Sequence, residues 1–101
     1  MQREKRNHSR IRIDREAHIE HGGTPAFPVM IRDISVGGVF VDSAQEVPYG
    51  AEVSIILAFP DDPQPRSLPG VVRWIKPGGF GIQFGLLGAK ETHAVTRLMK
   101  G

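Results

Sequence analysis

The sequence predicts an all-β fold: a small antiparallel six-stranded β-barrel with a short C-terminal α-helix. Three observations carry the prediction. About six short stretches alternate apolar and polar residues or run apolar, and each is bounded by Gly- or Pro-rich turns. The chain has 101 residues and 40% hydrophobic content, enough for one core and too little for two separate domains. After Gly85 the apolar spacing changes from a period of two to a near-helical one. So many strands in so short a chain are best served by closure, which removes exposed edges.

From Ile11 the alternation is clean. Ile11, Ile13, Ala17 and Ile19 share one face, and Arg12, Asp14, Glu16, His18 and Glu20 share the other. Gly22-Gly23 suits a hairpin turn. A second strand is expected over residues 27–35, rich in Val29, Ile31 and Ile34, and Gly37-Gly38 breaks it before a third at 39–41. Residues 42–50 are polar, carry Pro48 and read as a connection. Val53, Ile55, Leu57 and Phe59 mark a fourth strand, followed by a proline-rich loop over 60–65. Val71, Val72, Trp74 and Ile75 mark the fifth, with Trp74 expected in the barrel wall or core among apolar neighbours. Phe80, Ile82 and Phe84 follow the Pro77-Gly78-Gly79 turn as the sixth, and an amphipathic helix is expected over 89–99.

Several function classes are disfavoured at once. There are no cysteines, so disulfides and thiolate metal sites are absent, which fits a reducing cytoplasm as the expected location. The charged N-terminus lacks the apolar run of a signal peptide, and the longest apolar run, 55–59, is strand-sized, so no membrane segment is expected. His8, His18, His21 and His93 lack metal-ligand spacing. Ser35 has no evident histidine base, Asp61-Asp62 reads as solvated, and Gly78-Gly79-Phe80-Gly81 opens a strand, not the helix a dinucleotide fingerprint needs. The expectation is a binding protein without catalytic residues, metal or cofactor.

Charge distribution points to a localised anion site. The formal net charge is only +2, yet Arg3, Lys5, Arg6, Arg10, Arg12 and Arg15 crowd the start of the chain. A nucleic-acid polymer is therefore not the expected partner. Arg6 and Arg10 lie four apart just before the first strand and can converge on one small ligand. The planar guanidinium fork pairs with phosphate or with the O6/N7 edge of guanine. The same residues also read as an exposed basic tail. In an extended strand Asp33 and Ser35 point to one face, expected to be that of Val29 and Ile31. An ionised aspartate only accepts hydrogen bonds, so it suits the N1–H and N2–H₂ donors of guanine. The alternative is an Asx/Ser turn ending the strand. Gly38 is expected to supply an unusual backbone angle or to let a ligand approach the main chain.

Taken together, Lys5-Arg6-Asn7-His8-Ser9-Arg10 and Asp33-Ile34-Ser35-Val36-Gly37-Gly38 resemble the Arg-x-x-x-Arg and Asp/Asn-x-Ser-x-x-Gly motifs of the PilZ domain, the bacterial receptor for cyclic di-GMP. Gly70 to Trp74 and Gly79 to Phe84 resemble that family's closing strands, so the likeness covers nearly the whole chain. The resemblance implies a basic arm over residues 1–10 on a barrel with helix over 11–101. It implies cyclic di-GMP as ligand, with Arg6 and Arg10 on phosphate and guanine, Asp33 and Ser35 on the other edge, and Gly38 beneath. It also implies a switch in which the arm closes over the ligand and signals to a downstream protein. Lys5, just before Arg6, is implied as a secondary contact favouring two stacked ligands. Two alternatives remain open: an adaptor of the same fold that binds no nucleotide, and a small RNA-binding barrel, for which stacking aromatics are sparse.

Overall fold

The computed structural model describes residues 10–60 and 62–100. Six strands, β1 (Ile11–His21), β2 (Phe27–Ser35), β3 (Gly38–Asp42), β4 (Glu52–Leu57), β5 (Arg66–Lys76) and β6 (Gly79–Phe84), precede one helix, α1 (Ala89–Lys100). All neighbours are antiparallel, and the order β1-β2-β3-β6-β5-β4 closes where β4 pairs back onto β1. The expected barrel and helix are what the chain forms.

Alternation explains the interior. Ala17 and Ile19 of β1, Ile55 of β4, and Phe80 and Ile82 of β6 are buried at strand positions two apart or facing one another. α1 contributes Val95 and Leu98, with Leu87, Ala94 and Met99 packed beside them. Glu91 in its first turn and Arg97 and Lys100 in its last complement the helix dipole. Arg66 ties the helix to the barrel, donating from Nη1 to Glu91 at 3.2 Å. Its Nε lies 2.6 Å from Asp62 as an ion pair without hydrogen-bond alignment. Asp62 thus anchors the proline loop instead of merely solvating it, and Asp61 lies outside the described residues.

The fifth strand is longer than the expected stretch from Val71. Pro69, which reads as a breaker, sits inside it opposite Ser54. It is tolerated because β6 begins pairing only at Gly70, and its carbonyl still accepts from the Gly85 amide at 2.9 Å.

Three register shifts interrupt the ladder: in β1 between Arg12 and Arg15, in β2 between Ile31 and Asp33, and in β5 between Val72 and Trp74. Each sets an extra residue against the partner strand, which bends the strand and re-aims its side chains. In β1 the irregularity includes Asp14, whose φ of 50° is left-handed, a region that Asp tolerates better than most residues. In β2 the extra residue is Arg32 and in β5 it is Arg73, because Val41–Phe40 and Ile82–Gly81 are consecutive opposite them.

The β2 bulge corrects one expectation. Ile31 and Ile34 are both fully buried, so the inward phase shifts by one residue between them. Asp33 and Ser35 do share a face, but it is the outer face, opposite to that of Val29 and Ile31. The β5 bulge does the same for Trp74, which stands on the outer wall with 51% of its surface exposed and is no core residue.

Candidate ligand-binding site

The bulges build one outer face across five strands. Pairing runs in register from Asp33 to Phe40, to Gly81, to Trp74, with Arg12 opposite Asp33 on the other side. At the usual strand spacing, Asp33 to Trp74 spans about 14 Å. One step along, Ser35 faces Gly38 and Gly38 faces Gln83. Glycines floor this face for steric reasons. A Cβ on Gly38 would lie 2.1 Å from the Ile82 carbonyl oxygen, and one on Gly81 would lie 2.6 Å from the Trp74 indole. Gly38 is not among the residues with positive φ, so its role is to let β3 and β6 approach closely rather than to adopt an unusual angle.

Arg10 and Asp33 meet on this face. Arg10 Nε donates to Asp33 Oδ1 at 2.8 Å, with the two side chains 44% and 29% exposed. The pair brings a residue of the first arginine motif onto the aspartate of the second, 23 positions away. Ser35, 3% exposed, is occupied internally: Oγ accepts from the Gly37 amide at 3.2 Å and donates to the Gly38 carbonyl at 3.5 Å. That geometry is the Ser turn ending the strand, and it fixes the Gly37-Gly38 reversal beneath Asp33. Arg6 and Lys5 lie outside the described residues.

A second charge network borders the pair. Arg12 Nε at 2.9 Å and Arg32 Nη1 at 3.0 Å both donate to Asp14 Oδ1, and Arg32 Nε donates to Asp42 Oδ2 at 2.6 Å. The hydrogen bonds from Arg12 and then Arg32 hold the Asp14 carboxyl below the usual carboxylate range. Those to Asp42 and then Asp14 hold Arg32 above its ordinary value. On the β5–β6 side the chemistry differs. Arg73 Nε donates to the neutral Gln83 Oε1 at 3.1 Å, and Lys76 Nζ sits 5.3 Å from the centroid of the Phe40 ring.

Phe40, Trp74, Arg73 and Gln83 are the residues of this face that sequence reasoning missed. The available signal was the run Arg73-Trp74-Ile75-Lys76, where alternation fails and all four side chains are exposed. The face is open. A concavity of about 800 Å³ lies between residues 43–49 and 75–80, and neither Arg10, Asp33 nor Ser35 lines it. An ion-paired outer wall forms no cavity by itself. No group of three or more His, Asp or Glu residues among the described ones is placed to hold a metal. No helix among them is long and apolar enough to cross a membrane.

Comparison with known proteins decides the family. The profile of the PilZ domain matches residues 4–101. The chain belongs to the PilZ domain family. No curated protein matches the sequence. Among solved structures, this PilZ domain is similar to that of CeSA from a cellulose-synthesizing bacterium. The TM-score is 0.73 at 18% identity, covering 92% of this chain and 96% of that one. It is also similar to the Bacillus subtilis inhibitor of motility MotI/DgrA, with TM-score 0.73, 17% identity and 99% of this chain covered. A third is Borreliella burgdorferi PlzA in complex with c-di-GMP, with TM-score 0.73, 20% identity and 93% of this chain covered. The present chain spans 51% of the second protein and 40% of the third. At these identities the likenesses establish the PilZ fold.

Proposed function

We propose that this PilZ domain is a cyclic di-GMP receptor that passes the signal to a partner protein. The observation that carries the reading is the Arg10–Asp33 pair on a glycine-floored outer face. It joins the two motifs at one point with a donor fork and an acceptor side by side. The c-di-GMP complex of PlzA, a structure of the same fold, supports the choice of ligand.

In this reading Arg6 and Arg10 supply guanidinium forks to phosphate and to the guanine O6/N7 edge. Asp33 accepts from N1–H and N2–H₂, Ser35 and Gly38 hold the turn beneath it, and no bond is made or broken. Residues 1–10 act as an arm that closes over the ligand on the barrel of 11–101 and changes the surface shown to the partner. Lys5 offsets crowded phosphates and lets the site hold two stacked ligands. A receptor for an intracellular nucleotide works in the cytoplasm.

Calorimetric titration tests the reading. Binding of cyclic di-GMP in preference to cyclic di-AMP and to linear GMP supports it. Absence of heat, or equal binding of the adenine dinucleotide, removes it. The molar ratio at saturation tests Lys5: two ligands in the wild type and one in Lys5→Leu are expected. One observation favours the adaptor reading as second choice: Tyr49 and Ile75, 65% and 54% exposed, line the same groove on the barrel surface, and exposed apolar groups of this size suit protein contact.

A further inference from the structure

We infer that Arg73 is a phosphate-binding residue of this face, adding from the β5–β6 side positive charge to that of Arg10, Arg12 and Arg32, which carboxylates already offset. The inference rests on the cyclic di-GMP reading. A cyclic dinucleotide brings two phosphodiester charges, and cations already matched by carboxylates on the protein have little net charge to offer them.

Four guanidiniums lie on this outer face among the described residues. Arg10 faces Asp33 at 2.8 Å, Arg12 faces Asp14 at 2.9 Å, and Arg32 faces Asp42 at 2.6 Å. Arg73 faces an uncharged amide, the Gln83 side chain, at 3.1 Å. Position and aim agree with the charge argument. Arg73 is the extra residue of the β5 bulge, so it and Trp74 both stand outward against the single Gly81. Gln83, which holds Arg73 by its Nε, lies opposite Gly38, and Gly38 lies opposite Ser35. The guanidinium is therefore tethered over β6, one strand from the Gly38 floor and two from Ser35. With Nε engaged, the Nη pair is the part left to donate, and that planar pair matches two oxygens of a phosphate.

The test is calorimetric titration of the full chain with cyclic di-GMP at low and high salt. The wild type is compared with Arg73→Ala, Gln83→Ala and Lys90→Ala. Lys90 is an exposed cation on α1, so its loss removes the same charge away from the face. Arg73→Ala is expected to bind about tenfold more weakly, with a shallower salt dependence. Gln83→Ala should fall between it and the wild type, because the tether goes but the charge stays. Lys90→Ala should match the wild type, and thermal midpoints should stay together because Arg73 is exposed. Equal behaviour of Arg73→Ala and Lys90→Ala would overturn the inference while leaving the receptor reading intact. Lost discrimination between cyclic di-GMP and cyclic di-AMP, at unchanged salt dependence, would place Arg73 on a base edge and overturn the phosphate assignment. A wild type that binds no cyclic di-GMP brings down the receptor reading and this inference together.

Discussion

The two halves of the outer face are built on opposite principles. On the β1–β2 side the guanidiniums Arg10, Arg12 and Arg32 each meet a carboxylate within 3 Å, and the network is locally close to neutral. On the β5–β6 side the cations Arg73 and Lys76 meet an amide and an aromatic ring, and Trp74 lies half-exposed. The first half is an assembly that holds itself in place before any ligand arrives. The second offers charge that no carboxylate among the described residues meets, beside exposed apolar surface. In the proposed receptor, internal ion pairs would position Arg10 and Asp33, and Arg73 would add to the attraction for anions from the other side.

The largest effect that would sharpen this comparison is steric. Gly38→Ala places a Cβ 2.1 Å from a backbone oxygen of β6, and neither strand can move without opening the barrel. A loss of about 3 kcal/mol in denaturant unfolding is expected, the upper part of the usual range for overpacking. Gly81→Ala, within the β5–β6 half itself, meets the Trp74 side chain, which can swing outward. Its cost should be nearer ~1 kcal/mol. Equal losses at both positions would mean that the Trp74 indole is as fixed as the backbone.

Binding comes next. Arg10→Ala should weaken cyclic di-GMP by about 1.5–3 kcal/mol, the range for hydrogen bonds to charged groups, and Arg6→Ala by a similar amount. Neither should lower unfolding stability by more than ~1 kcal/mol, because Arg10 is paired only at an exposed surface. If Arg10→Ala kept wild-type affinity but lost stability on the scale of a core truncation, the Arg10–Asp33 pair would be purely structural. Trp74, the only tryptophan, gives the other half its own reporter. Ligand addition should change its emission, and a spectrum that stays constant through saturation would confine the ligand to the β1–β2 side.

How much of this was legible in the sequence follows from what each signal encodes. Alternation in Ile11–Ile19 and Phe27–Ile31 and the change of period after Gly85 point to six strands and a helix, with ends close to those observed except at the start of β5. The two motifs singled out Arg10 and Asp33, which the fold then brought within hydrogen-bond reach. What alternation does not encode is a one-residue insertion in a ladder, because the periods before and after it are both two. Hence the face of Asp33 and Ser35 came out inverted at Arg32, and the exposure of Trp74 was lost at Arg73. Both errors fall on the candidate site, where bulges re-aim side chains. Pro69 hid the first half of β5 for a different reason: a proline reads as a breaker until the edge beside it is known to be unpaired.

The smallest effect bears on the self-neutralised half alone, through its pH dependence. Hydrogen bonds from Arg12 and Arg32 lower the Asp14 carboxyl in the folded chain relative to the unfolded one. A depressed folded value means that the unfolded chain binds the proton first as pH falls. The stabilisation is therefore present above the unfolded carboxylate range, about pH 4, and is lost as pH drops through the lower folded value. Asp14→Asn removes this titration while keeping a residue that tolerates the φ of 50°. Its stability should fall less steeply below about pH 4 than that of the wild type. The effect is small because Asp14 is solvated, and added salt should shrink it further. Arg73→Ala, which removes a cation with no carboxylate partner among the described residues, should keep the wild-type acid slope. Chemical denaturation at steps between pH 5 and 2 reads both variants against the wild type. If Asp14→Asn kept the wild-type slope while Arg73→Ala changed it, the assignment of ion-paired and unmatched charge to the two halves would be reversed.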